Sequence, residues 1–221
     1  MNSLKEVQVE PVHDAEQLPV GARVRRPRPG TAERRRRVLD SATEIFATKG
    51  YTNGSLLEIA EHAGISQAGV VHHFGSKDQL LVAMLEYRDD ADVAELEGSH
   101  IPDGAALFDH LVHTVELNTQ RRGIVQLYAV LSADSVTEGH PAQQYFRGRF
   151  VGLREMVASA LRDVVPDADA HAVDTAASAI IGVMDGLQVQ WLLDERSVDM
   201  PVAVRMVIDA VIQGLRTAAA S

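Results

Sequence analysis

Residues 55 to 77 read SLLEIAEHAGISQAGVVHHFGSK, and the fold follows from them. Ser55 stands three residues before Glu58. That is the spacing of a capping box, in which the serine hydroxyl accepts from the Glu58 backbone N–H while the carboxylate reaches back. A helix is therefore predicted to begin at Leu56, and Leu56, Ile59, Ala60 and Ala63 recur at helical spacing to give it one apolar face. Gly64 ends it, because a residue without Cβ enters the left-handed conformation that helix ends commonly require. Ile65 plugs the corner, and Ser66 caps a second helix over Gln67 to Phe74. Val70 and Phe74 face inward on that helix, which leaves Gln67, Ala68, Gly69, His72 and His73 outward. Ser76 and Gln79 repeat the capping spacing, so a third helix starts at Lys77, where a helix N-terminus and a cation both favour phosphate. A short helix with small and hydrogen-bonding side chains near its N-terminus suits a DNA major groove.

The segment from Arg37 to Glu86 resembles the DNA-binding domain of the tetracycline-repressor (TetR) family of helix-turn-helix regulators. The words that carry the resemblance are RVLDSATEIFATKGY, SLLEIAEHAGIS and HHFGSKDQLLVAMLE, spread over the four helices expected there. It implies a homodimer on a double-stranded DNA operator, with Ser55, His73 and Lys77 on phosphates and Gln67, Ala68, Gly69 and His72 at base edges. Leu57 holds a position that can carry a base reader in relatives and here offers only apolar contact, for instance to a thymine methyl. Ser66, the cap of the reading helix, completes the set. The residues themselves agree in part: Gln67 can bond bidentately to adenine, and His72 or His73 can donate to guanine or phosphate. The competing view of the histidines is packing against the first turn of the next helix. Two positions depart from the family, which usually has an aromatic residue where this chain has Val71 and often a hydroxyl where it has Gly69. Each departure removes one expected phosphate contact.

A net charge of −10 is unexpected for a DNA binder until it is divided along the 221 residues. Residues 23 to 88 hold 11 Lys and Arg against 7 Asp and Glu, whereas 89 to 221 hold 9 against 20. A basic module on an acidic body directs one end of the molecule toward polyanions. The stretch RVRRPRPG places Arg23, Arg25, Arg26 and Arg28 in a Pro-rich arm, residues 1 to 30. In an extended arm such arginines enter a minor groove or lie along phosphates, and the alternative is a solubilising tail. Cysteine is absent, which excludes disulfides and thiolate metal sites. The N-terminus MNSLKEVQVEPVHD has no apolar core of a signal peptide, and the apolar region Ala172 to Leu193 is interrupted by Asp174, Asp185, Gln188 and Gln190. A cytoplasmic protein with no membrane span is expected.

Helical spacing continues to the end of the chain. Helices are predicted over 31 to 49, 77 to 97, 103 to 120, 124 to 133, 141 to 165, 168 to 193 and 201 to 218, besides the two in the opening stretch. The fold class is all-α with about nine helices: an arm (1–30), a helix-turn-helix domain (31–76) and a helical effector-binding and dimerisation body (77–221). The last two helices carry apolar residues off their main stripes, Ile181, Val183, Val189 and Leu192 on one and Ala203, Ala210 and Gly214 on the other. Two copies packed into a four-helix interface would bury them. Asp185, Gln188 and Trp191, with Tyr128, Tyr145, Phe146 and His113, are candidate effector contacts, each with a core or interface role as the alternative. His110, His113 and Glu116 fall three residues apart and could seat a metal, though surface or core histidines are the ordinary reading. No phosphate-binding glycine loop, nucleophile elbow or paired zinc motif occurs, and no cofactor is expected. The leading reading is a repressor of a palindromic operator, released by a small-molecule effector. The alternatives are a ligand- or metal-dependent enzyme on a helical bundle and an activator without effector.

Overall fold

A computed structural model describes residues 29–97 and 101–220, and among these the chain forms nine helices and no strand. They are α1 (Pro29–Asn53), α2 (Leu56–Ala63), α3 (Gln67–Phe74), α4 (Lys77–Glu97), α5 (Ala106–Asn118), α6 (Arg122–Asp134), α7 (Gln143–Val164), α8 (Ala170–Leu193) and α9 (Met200–Ala219). The arm, Arg28 included, lies outside the described residues.

The capping chemistry of the opening stretch sets the geometry of α2 and α3. The Glu58 amide donates to Ser55 Oγ at 3.2 Å, and the Ser55 amide donates to Glu58 Oε2 at 3.0 Å, so both halves of the capping box are made. Gly64 closes α2 at φ 68°. Ser66 Oγ accepts from the Gly69 amide at 3.1 Å at the start of α3. Gly75 ends α3 at φ 80°, a left-handed conformation that favours glycine, and any Cβ there would also have to push aside the end of the exposed Gln79 side chain. α1 is interrupted at Gly50 (φ 73°, ψ 169°), where the sequence predicts its end; one further turn reaches Asn53.

Buried side chains form two clusters. The first joins Val38, Leu39, Ala42 and Phe46 of α1 to Ile59, Ala60 and Ala63 of α2, Val70 and Phe74 of α3, and Leu80, Leu81, Met84 and Leu85 of α4. It does not stop at residue 76. It takes in half of α4 and also Leu127, Leu131, Ala142 and Phe146 from α6, α7 and the turn between them, because α6 lies against α1. The second cluster holds α5, α7, α8 and α9 together through residues such as Leu107, Phe108, Leu161, Val173, Ile180, Trp191, Val204 and Ile208. Phe150 touches both.

Several boundaries differ from those read in the sequence. α5 begins at Ala106 instead of Asp103, because Gly104 turns at φ 62°, outside helical backbone. Ile181, expected off the main stripe of α8, is 8% exposed and belongs to the second cluster. α8 is the described helix long and apolar enough by composition to match a membrane span. Its inner face, Val173, Ala177, Ile180 and Trp191, packs into the body, and Asp174 and Asp185 interrupt the apolar run elsewhere on the helix.

Candidate DNA interface and interior cavity

α3 presents its predicted outward residues to the surface. Gln67, Ala68 and His72 are exposed and Gly69 and His73 half-buried, while Val70 and Phe74 anchor the helix from beneath. Leu57 on α2 stands beside them, 51% exposed. The His72 and His73 rings lie 5.6 Å apart, and His73 meets Phe74 edge-on, so both histidines keep an edge toward solvent. The guanidinium of Arg35, from the start of α1, sits 5.0 Å above the Phe74 ring and brings the basic run 34–37 to the C-terminal end of α3.

Two residues predicted to contact phosphate, Ser55 and Lys77, already have partners within the chain, though Lys77 keeps N–H donors to spare. The Ser55 hydroxyl accepts from the Glu58 amide and donates to Glu58 Oε2 at 2.9 Å, so its capacity is spent on the cap. Lys77 Nζ donates to the Thr52 carbonyl at 3.2 Å and lies 4.4 Å from the centre of the Tyr51 ring. Burial lowers the Lys77 pKa against the opposing pull of Asp78 and Glu58. Tyr51 in turn donates to Asp78. This small network ties the α1–α2 corner to the start of α4, with the ammonium at the N-terminus of α4 where an anion is also favoured. Lys49 pairs with Glu58, and that pairing together with the Ser55 bonds holds the Glu58 carboxyl at about 2.

Between the two clusters lies a cavity of about 660 Å³ walled by α4, α5, α6, α7 and α8. Most of its lining is apolar, for instance Ile101, Leu111, Ile124, Phe150, Leu153 and Met156. The polar part is concentrated around Asp89 of α4. Tyr128 Oη of α6 donates to Asp89 Oδ1 at 2.9 Å, Tyr145 Oη of α7 donates to Oδ2, and Arg149 Nη1 of α7 donates to Oδ1 at 2.7 Å. The Arg149 guanidinium also lies over the Tyr128 ring at 4.9 Å. Burial pushes both phenol pKa values far up, with Asp89 adding to the shift, so the tyrosines remain neutral donors. Burial works against the charge on Arg149, and Asp89, Tyr128, Tyr145 and Asp185 more than reverse it, leaving its pKa above the ordinary value. Three helices thus meet at one carboxylate.

Residues 38–84 match the sequence profile described as bacterial regulatory proteins of the tetR family, and residues 111–218 match that of the BetI-type transcriptional repressor, C-terminal. The chain belongs to the TetR family. It is a DNA-binding transcriptional regulator, and proteins of this family are regulators of transcription rather than enzymes. It is similar to the HTH-type transcriptional repressor BepR of Brucella suis biovar 1, with 24% identity over 89% of this chain and 98% of that one. The HTH-type transcriptional regulator TtgR of Pseudomonas putida is 26% identical over 87% of this chain and 96% of its own. A crystal structure of a transcriptional regulator from Rhodococcus sp. Rha1 shares the fold with a TM-score of 0.69 at 21% identity, covering 82% of this chain and 97% of that one.

Of the cavity residues expected from sequence, this TetR-family chain gathers Tyr128, Tyr145, Phe146, Asp185 and Gln188 around one space and leaves two outside it. His113 points away, its Nδ1 3.2 Å from Glu116 Oε2 on the outer surface of α5, while His110 lines the cavity instead. The two are three residues apart, and the boundary of the buried face runs between them. His110 and His113 therefore face different surroundings, and no group of three or more metal-ligating side chains occurs among the described residues. Trp191 is 4% exposed in the second cluster and does not reach the cavity. Asp89 and Arg149, the polar centre of the site, were missed. Their only sequence signal is a charged residue adjoining an apolar stripe on a long helix, which most surface residues also satisfy.

Proposed function

We propose that the chain is a homodimeric repressor that reads a palindromic operator with α3 and releases it when a small molecule fills the cavity between the two clusters. The observation that carries this reading is the shared wall. α4, α6 and α7 line the cavity and also supply Met84, Leu85, Leu127, Leu131 and Phe146 to the core that supports α3. A ligand that spreads the cavity therefore strains the base of the reading helix, because packed cores shift between discrete arrangements instead of yielding continuously. Tenfold weaker operator binding needs about 1.4 kcal/mol of difference in ligand affinity between the two arrangements.

Gln67, Ala68, Gly69 and His72 face base edges with Leu57 beside them, and Ser66, His73, Lys77 and the backbone at the start of α4 lie toward phosphates. Ser55 supports the helix from its cap and Arg28 extends the contact from the arm. Residues 31–76 act as the reading head and 77–221 as the effector and dimerisation body, in the cytoplasm. Dimerisation uses the outer faces of α8 and α9, where Leu193 (84%), Val202 (63%) and Met206 (66%) stand exposed. Pairing these helices in two copies buries them and sets two α3 helices on successive major grooves.

The test is a titration of the purified chain against duplexes from its own promoter, across salt concentrations, alongside its mass in solution. A dimer whose operator affinity falls steeply with salt and exceeds that for unrelated duplex supports the reading. A monomer with no preference for any duplex refutes it.

A further inference from the structure

We propose that the cavity is built for an organic cation with an apolar body, and that Asp185 is the carboxylate that receives its positive head. The proposal deepens the reading of the cavity as an effector site and rests on it.

Among the charges that face the space, Asp89 is satisfied by Tyr128, Tyr145 and Arg149, and Arg149 is engaged by Asp89 at 2.7 Å. Asp185, on α8, lines the same cavity, keeps part of its surface open to solvent, and has no hydrogen-bond or ion-pair partner among the described residues. It is influenced by Arg149 only at longer range. The other cationic and titratable groups do not serve it. Arg121 and His110 are each engaged in interactions of their own. Arg121 also stands at the wrong end of the site. The adjacent Arg122 donates to the Leu192 carbonyl at 2.8 Å, which pins the start of α6 to the end of α8, seven residues or about 10 Å of helix from Asp185. Around Arg149, then, two carboxylates face one guanidinium, and the excess negative charge is on Asp185.

The chemistry of the occupant follows from that excess. A neutral molecule filling the space would strip water from Asp185 and return nothing. A carboxylate would meet Asp185 as a like charge and would have to displace Asp89 from all three of its donors. An ammonium answers Asp185 directly, while Phe146, Phe150 and Met156 offer aromatic faces and aliphatic wall to its substituents. Burial already pushes the Asp185 carboxyl above the usual range, and a bound cation would draw it back.

Calorimetric titration of the full chain with octyltrimethylammonium, 1-octanol and octanoate tests this without DNA, so the result does not depend on whether the chain represses anything. Octyltrimethylammonium is expected to bind tightest. Asp185→Asn should weaken it about tenfold or more, equivalent to 1.4 kcal/mol, Asp185→Glu should retain most of the affinity, and 1-octanol should be indifferent to either change. Tighter binding of octanoate than of the ammonium overturns the proposal, as does failure of all three to bind, or an Asp185→Asn affinity within about twofold of wild type. The ranking of probes on the unaltered chain stands even if a variant fails to fold, which circular dichroism would reveal. Cation binding that leaves operator affinity unchanged would instead remove the effector reading and spare the cation site.

Discussion

Replacing Asp89 by alanine takes away the acceptor at which α4, α6 and α7 meet. A sheltered hydrogen bond to a charged group contributes about 1.5–3 kcal/mol. Solvent reduces that here, since the Asp89 and Arg149 side chains are 32% and 34% exposed, and brings the ion pair toward the ~1 kcal/mol of surface pairs. The two tyrosine hydroxyls add about 1 kcal/mol each, so Asp89→Ala should cost about 2–4 kcal/mol in all. Tyr145→Phe alone should cost about 1 kcal/mol in the unaltered chain and close to nothing in the Asp89→Ala background, because the acceptor it served is then gone. Urea unfolding provides the measurement, followed by far-ultraviolet circular dichroism for the whole chain and by fluorescence of Trp191, the single tryptophan, for the body. Since both phenols stay protonated well past neutrality, the cost should not change between neutral and mildly alkaline pH. An Asp89→Ala loss below about 0.5 kcal/mol would refute the argument, and so would a Tyr145→Phe cost that is unchanged when Asp89 is absent.

Four further outcomes are expected. Lys77→Ala should weaken binding to all duplexes alike and reduce the slope of log affinity on log salt by about 1, whereas Gln67→Ala should relax preference at one base pair; quantitative binding to a panel of single-base operator variants separates the two. Met206→Glu places a charge on the proposed dimer face and should shift the chain to a monomer in analytical ultracentrifugation, with loss of operator affinity and little change in helix content. Ser55→Ala removes the α2 cap and should cost about 1 kcal/mol in denaturant unfolding. For Asp185, burial raises the folded carboxyl above its unfolded value, so its ionised form opposes folding at neutral pH and ceases to do so below the unfolded pKa of about 4. Because Asp185 is partly open to solvent, Asp185→Asn should raise the melting temperature only slightly near pH 7, with the gap closing as pH falls toward 4; a gap that widens on acidification would contradict the assigned cause.

The stretch from Ser55 to Lys77 was legible because its geometry depends on partners within four residues: a capping box, a left-handed glycine and a second serine cap. The apolar stripes of the later helices were legible for the same reason, since helical period is a local property. Period was less informative about which flank of a stripe turns inward. Residues three apart on a helix differ by about 60° around its axis, enough to put His110 in the cavity wall and His113 in solvent, or Gln188 in the wall and Trp191 in the core. The first core runs on past residue 76 into half of α4 because α6 lies on α1, a contact between distant segments that leaves no local pattern in the sequence.

The sequence by itself determined an all-α chain with a capped reading helix, since each of those features is enforced by residues adjacent in the chain. Only the tertiary structure decided that Asp89, Tyr128, Tyr145 and Arg149 form one joint and that Asp185, on the wall of the same cavity, has no hydrogen-bond or ion-pair partner among the described residues. Those groups come from four helices and are separated by as many as 96 positions. Their meeting depends on how the helices cross, and that is set by the summed packing of both cores.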